Sequence, residues 1–182
     1  DALAELMKVA NDPRNLYGST PLFGDILSWG ITIISSDGKK RYLENIHDMP
    51  NVADVAFLPF LGFLAHRQLV EKMGIPDSGY FIAADDVEYT VRAKIFGAKL
   101  IQVGNSRIEH PLASKYHILI LGHAIYCLKL PPWKRYYDTR NRLLLARKHY
   151  GKRLYTETIP GSFVRMVGAL ISEPQKWLQL WA

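Results

Sequence analysis

The run from Phe57 to Ala65, FLPFLGFLA, is apolar at every position except a proline and a glycine. Because nothing in it alternates, neither face is set aside for water, and it reads as a strand buried on both sides. Gly62 leaves room for something to approach its backbone. A doubly covered strand needs layers above and below it, which points to an α/β domain.

The neighbouring segments agree with that reading. Ile26 to Ser35 is rich in β-branched and aromatic residues, and Ser36-Asp37-Gly38 supplies a turn before Lys39 to Leu43, so a hairpin is predicted. Glu44 to Asp54 is polar, contains Pro50 and lacks a period, which predicts a loop. Arg67 to Met73 reads as a short helix stopped by Gly74 and Pro76, and Asp85 to Phe96 as a longer one closed by Gly97. Ala98 to Val103 is expected as a strand and Ile108 to His110 as a further short extended piece. The sequence opens on a helix, Asp1 to Ala10, with Leu3, Leu6 and Met7 as its apolar stripe. Starting inside a helix with no preceding strand is what a fragment of an enzyme domain would show.

At 182 residues and 48% hydrophobic, the chain has enough apolar surface for a substantial core. Its single cysteine, Cys127, cannot form an internal disulfide, and no paired Cys/His pattern points to zinc or an iron–sulfur cluster. A reducing, cytosolic setting fits. The net charge of +6 is uneven: residues 129–182 hold eleven Lys or Arg against three Asp or Glu, while the preceding part is slightly acidic. Past Pro111 the character also changes, with Lys115 to Leu130, Trp133 to Tyr150 and Phe163 to Leu170 all read as helices. His117, His123 and Lys129 interrupt the most apolar of these, which therefore reads as a buried or surface-lying helix and not as a membrane span. No signal-peptide pattern opens the sequence.

The sharpest concentration of chemistry is Phe81-Ile82-Ala83-Ala84-Asp85-Asp86-Val87-Glu88-Tyr89. Free N–H groups and the positive dipole end at a helix start favour carboxylates there and keep them ionised, ready to serve as a base or a metal partner. Set against this, an acid at that place can simply cap the helix, and Glu88 can pair with Arg92 one turn on. His110, at the end of an extended piece, is the candidate metal ligand; the plainer reading is an ordinary polar histidine. Arg140, Asn141 and Arg142, behind Tyr136 and Tyr137, could hold phosphoryl oxygens or face an anionic bilayer, or form a solvated face. Trp177 and Trp181, one helical turn apart, fit either core packing or an interface stripe.

Read in order, DALAELMKVANDP, GFLAHRQLVEKMGIPDSGYFIAADDVEYTVRAKIFGAKLIQV, IEH and YYDTRNRLLLARKHYG resemble the inverting glycosyltransferases of family 2, especially the rhamnosyltransferase and galactofuranosyltransferase-like branches. The resemblance implies a partial GT-A domain, a Rossmann-like mixed sheet, over residues 1–114, followed by a helical basic extension over 115–182. It implies Asp86 as catalytic base with Asp85 beside it, and His110 as a ligand to a divalent ion, Mg2+ or Mn2+. Phe60, Leu61 and Gly62 fall where related galactofuranosyl enzymes carry acceptor-lining tryptophans, and so become acceptor-binding candidates together with Arg140, Asn141 and Arg142. The expected partners are a nucleotide-diphosphate sugar and a glycan or lipid-linked glycan, met in the cytoplasm or at the inner face of its membrane. The nucleotide-binding half, with its Asp-x-Asp motif, would lie ahead of Asp1.

Two other classes compete with this reading. A noncatalytic module derived from a transferase would bind a membrane, glycan or protein with the same surfaces. A nucleic-acid-binding protein would use the basic segment, but no recognised motif accompanies it.

Overall fold

The computed structural model describes residues 1–120 and 123–172, with the backbone alone at 118, 120 and 123–126. Mixed α/β architecture is observed, a mixed sheet with helices following it. The chain divides into two compact units, Asp1–Pro76 with Asp86–Leu112, and Asp77–Asp85 with Ala113–Ala182.

The first unit is built on β1 (Leu16–Phe23), whose residues are buried except for Phe23. Its first half pairs antiparallel with β5 (Phe63–Ala65), and its end turns directly into β2 (Ile26–Ile34), which pairs with β3 (Lys40–Asn45). Along its other edge β1 runs parallel to β6 (Leu100–Glu109), with a register shift between Ser19 and Thr20. A short edge strand, β4 (Val52–Asp54), completes the order β3-β2-β1-β6-β4.

The doubly covered strand is thus LYGSTPLF and not FLPFLGFLA. Only Phe63–Ala65 of the predicted run joins the sheet, and it is half-buried; Leu58, fully buried, enters the core from a loop. What makes β1 tolerable inside is pairing of its polar groups. The Thr20 hydroxyl donates to the Val103 carbonyl at 2.9 Å, and the Ser19 and Ser106 hydroxyls lie 2.8 Å apart. Gly62 does admit a close neighbour, and that neighbour is Ser19, whose hydroxyl donates to the Gly62 carbonyl at 3.2 Å. Gly62 has φ +58°, so any side chain there would be strained and would strike Ser19.

Leu16, Val55, Leu58 and Leu100 are almost inaccessible and share one core with Leu69, Tyr89 and Ala93. Each buried leucine contributes about 1.5–3 kcal/mol relative to exposure. Helix α1 (Ala2–Val9), capped by Asp1, buries Leu6 against Tyr17 and Val103. Leu3 and Met7, expected on the same stripe, are more than half exposed, and Leu6 with the partly buried Val9 anchors this helix.

Helix α2 (Arg67–Met73) ends at Gly74 as predicted, with φ +81° at that glycine. Helix α3 (Asp85–Ile95) follows, tied back to α2 by its own buried pair: Arg92 donates to Glu88 at 2.8 Å and to the Met73 carbonyl at 2.8 Å. The predicted loop at 44–54 contains a 3-10 turn, Ile46–Asp48, besides β4. Ala98–Val103 and 108–110, expected as separate pieces, belong to the single strand β6 apart from their ends.

The second unit contains a two-stranded hairpin, β7 (Lys115–Ile120) and β8 (His123–Leu128), where a helix was expected. The segment is rich in Ile and Tyr, and β-branched and aromatic residues favour a pleated surface over a helix. Helix α4 (Pro132–His149) begins with proline at its first turn and ends in Arg147, Lys148 and His149, the sign of charge that suits a helix C-terminus. A π-helical stretch, Leu154–Thr158, leads into α5 (Ile159–Ser172). Among the described residues no helix is long and apolar enough to cross a membrane. Trp177 and Trp181 lie outside the described residues.

Candidate active site at the entrance to helix α3

The acid pair opens α3. The Asp86 carboxylate accepts the Val87 backbone N–H at 2.7 Å, so it engages the free donors of the helix start while its residue stays partly exposed. The plainer expectation for Glu88 also holds. It is fully buried and paired with Arg92, whose guanidinium additionally lies 5.1 Å from the centre of the Tyr89 ring. Glu88 therefore fixes the helix from within, while Asp85 and Asp86 at its entrance stay partly exposed.

The backbone leading to the pair is unusual. Phe81, Ala83 and Ala84 all have positive φ, at 51°, 66° and 60°, and none is glycine. Residues with a Cβ lose of order 1–3 kcal/mol each in such conformations, and they persist only where surrounding structure enforces them. The enforcing group is Asn141, fully buried on α4. Its side-chain nitrogen donates to the carbonyls of Tyr80 at 2.5 Å, Ile82 at 2.8 Å and Ala83 at 2.8 Å. Its carbonyl oxygen accepts from Arg140 at 2.7 Å, and Arg140 also donates to the Gly79 carbonyl at 2.8 Å. Phe81 packs edge-on against Tyr137, with ring centres 5.2 Å apart.

This changes the part assigned to Asn141. Enclosed and saturated by the turn, it cannot touch an acceptor and serves as the clamp behind Asp85. The sequence held no sign of this, because a lone asparagine in a basic helix looks like any surface amide. The three left-handed residues were equally hidden, since alanine is not a residue that announces positive φ.

The other candidates are dispersed. Phe60 is half-buried and meets Phe63 and Tyr89 edge-on, with ring centres at 5.0 and 5.7 Å, so its ring is part of an aromatic cluster. Leu61 is half-buried, and the Gly62 backbone is taken up by Ser19. His110 follows β6, where its Nδ1 lies 3.4 Å from the Ser28 hydroxyl and its ring meets Trp29 edge-on. Among the described residues no group of three His, Cys, Asp or Glu side chains is placed to hold a metal ion. The divalent ion implied by the resemblance thus does not find a ligand set in the described part of this chain.

Two cavities lie in the second unit. A groove of about 1310 Å³ runs among α4, α5 and the β7–β8 hairpin, and a smaller one of about 380 Å³ is lined by Asp77, Arg140 and Lys148. Arg140 and Arg142 line the groove, whereas Asp85, Asp86 and His110 line neither cavity. Arg142 is held by Asp138, its Nε donating to both carboxylate oxygens at 2.9 and 3.0 Å. No family model matches the sequence, and no curated protein matches it at a significant level.

Proposed function

We propose that this chain supplies the acceptor side of an inverting glycosyltransferase, with Asp86 taking the proton from the attacking sugar hydroxyl. The observation that supports this most is the turn before α3. Three strained residues held by one buried amide lead into an acid pair, and strain of this kind collects where a side chain must be presented at a fixed angle. A merely capping aspartate needs no such approach.

In the reaction, the acceptor oxygen bonds to the anomeric carbon as its proton passes to Asp86. The bond from that carbon to the diphosphate oxygen breaks on the opposite face, and the electron pair leaves with the nucleotide. One displacement inverts the carbon. Asp86 needs to be ionised beforehand and within hydrogen-bond reach of the hydroxyl. The donor is a nucleotide-diphosphate sugar, with rhamnosyl and galactofuranosyl donors the first to try, and the acceptor a glycan or lipid-linked glycan. The cytoplasm, or the inner face of its membrane, is where such donors would be met. No step here is routed through a metal.

Replacing Asp86 with Asn in the full-length native protein tests this. Turnover of a nucleotide-sugar panel should fall by about 10²–10⁴, the usual contribution of a positioned base, with donor affinity unchanged. Retained turnover removes Asp86 from the role. The second reading, a noncatalytic binding module, draws on the large groove, which contains none of the acid pair.

A further inference from the structure

We propose that the groove among α4, α5 and the β7–β8 hairpin binds a single-chain lipid phosphate, with the hydrocarbon along its apolar wall and the phosphate on Arg165. This site is separate from the acid pair and does not depend on the transfer reading.

The volume of about 1310 Å³ exceeds the 300–1,000 Å³ typical of compact small-molecule pockets and suits an extended chain. Its wall is apolar, formed in part by Leu128, Leu143, Leu144, Ile159, Phe163 and Met166. Phe163 is 61% exposed, so the wall is open to an incoming chain and not closed on itself.

The groove's cations are not equivalent. Arg135 donates to the Tyr116 hydroxyl and the Leu130 carbonyl, each at 3.2 Å. Arg140 is spent on the turn, and Arg142 on Asp138, the one acid among the described residues that line the groove. Arg165 differs, forming no hydrogen bond or ion pair with any described residue although it is about half-buried. Burial, then the nearby charge of Arg142, lowers its pKa below the ordinary guanidinium value, and the Asp138 carboxylate, already bonded to Arg142, offsets this only in part.

The chemistry of the missing partner follows. It must be anionic to satisfy Arg165, and a phosphate matches the planar guanidinium fork with two parallel hydrogen bonds. The adjoining wall requires that this group end a long apolar chain.

The test titrates the full chain with dodecyl phosphate below its micelle-forming concentration, following tryptophan fluorescence and heat. Dodecyl maltoside supplies the same chain without the anion, and inorganic phosphate the anion without the chain. Dodecyl phosphate should bind at least about tenfold more tightly than either, as expected for an added charge-assisted hydrogen-bond pair. Arg165→Gln should reduce it to the affinity of the maltoside, and Ser162→Trp, which fills the groove, should abolish binding of both chains. Equal affinity for the charged and neutral chains, binding of phosphate alone, or unchanged affinity in Arg165→Gln would overturn the proposal. Should that variant lose its fold by circular dichroism, the three-ligand comparison on the unaltered protein decides the matter. Asp86→Asn should leave dodecyl phosphate binding untouched, so loss of this site and loss of the base are separable results.

Discussion

The side-chain nitrogen of Asn141 donates to the backbone carbonyl of Tyr80 at 2.5 Å, joining the middle of α4 to the turn that delivers Asp85. Two further carbonyls, those of Ile82 and Ala83, lie within hydrogen-bond distance of the same nitrogen, whose two N–H groups are shared among the three acceptors. No apolar side chain could take its place, because each acceptor left bare in a dry site loses its hydrogen bond without gaining water.

Asn141→Ala is therefore expected to destabilise the protein by about 2–4 kcal/mol, the scale of a buried network that loses its donor. Asn141→Asp should fare no better, since a carboxylate offers acceptors where donors are needed. Hydrogen exchange localised to residues 80–84 checks the assignment, for these amides should lose protection first.

Ala83 and Ala84 have φ of 66° and 60°, which glycine reaches without a steric penalty. Replacing either by glycine should raise stability or leave it unchanged, despite the greater freedom glycine gives the unfolded chain; relief of strain offers roughly 1 kcal/mol. A urea midpoint that falls by more than the glycine penalty would mean that the turn is not strained.

Glu88 and Arg92 form a pair with the carboxylate 1% and the guanidinium 18% exposed. Glu88→Ala leaves a largely buried cation with the Met73 and Ile75 carbonyls and the Tyr89 ring but no counter-charge bonded to it among the described residues, and should cost about 3–5 kcal/mol. Denaturant unfolding should show a shifted midpoint with an unchanged slope. A change in slope instead would indicate that α3 had already come loose in the folded state.

Hydrogen bonds from the Arg14 side chain hold the Asp12 carboxyl at about 2, below its ordinary 3.8. A lowered folded value means that the ionised carboxylate adds stability at pH above about 4, and that this contribution disappears as pH falls through about 2. Carbon-detected titration should place the Asp12 midpoint near 2, and in Arg14→Ala it should rise toward the ordinary carboxylate range, held back only by the backbone N–H that remains.

Much of the first unit could be read from residue pattern. Gly74 and Pro76 marked the end of α2, Asp37-Gly38 the turn between β2 and β3, and the acid pair the start of α3. Each is a local signal whose physics needs no distant partner. The central strand was invisible for the opposite reason: Gly18, Ser19, Thr20 and Pro21 look like a loop until Ser106 and the Val103 carbonyl are brought alongside. The apolar run Phe57–Ala65 misled because burial was inferred correctly for Leu58 but its strand was not. The spacing of apolar residues in β7–β8 fits a helix, and the strand pairing from Lys115 with Leu128 to Ile120 with His123 is not visible in it. At the candidate site, the identity of the acids was legible, whereas the clamp and the left-handed turn arise from contacts between segments some sixty residues apart.

Parallel pairing of Leu16 with Leu100 places the two halves of the sheet's centre at opposite ends of the first unit's sequence. Nearly everything else in that unit, the β2–β3 hairpin and both helices of the 67–95 region, lies between them and can begin to form locally. The longest loop must close before the middle strand gains its parallel neighbour, so assembly runs from the margins inward. A ribosome releasing this chain would have to expose most of β6 before β1, made early, could finish its hydrogen-bond ladder.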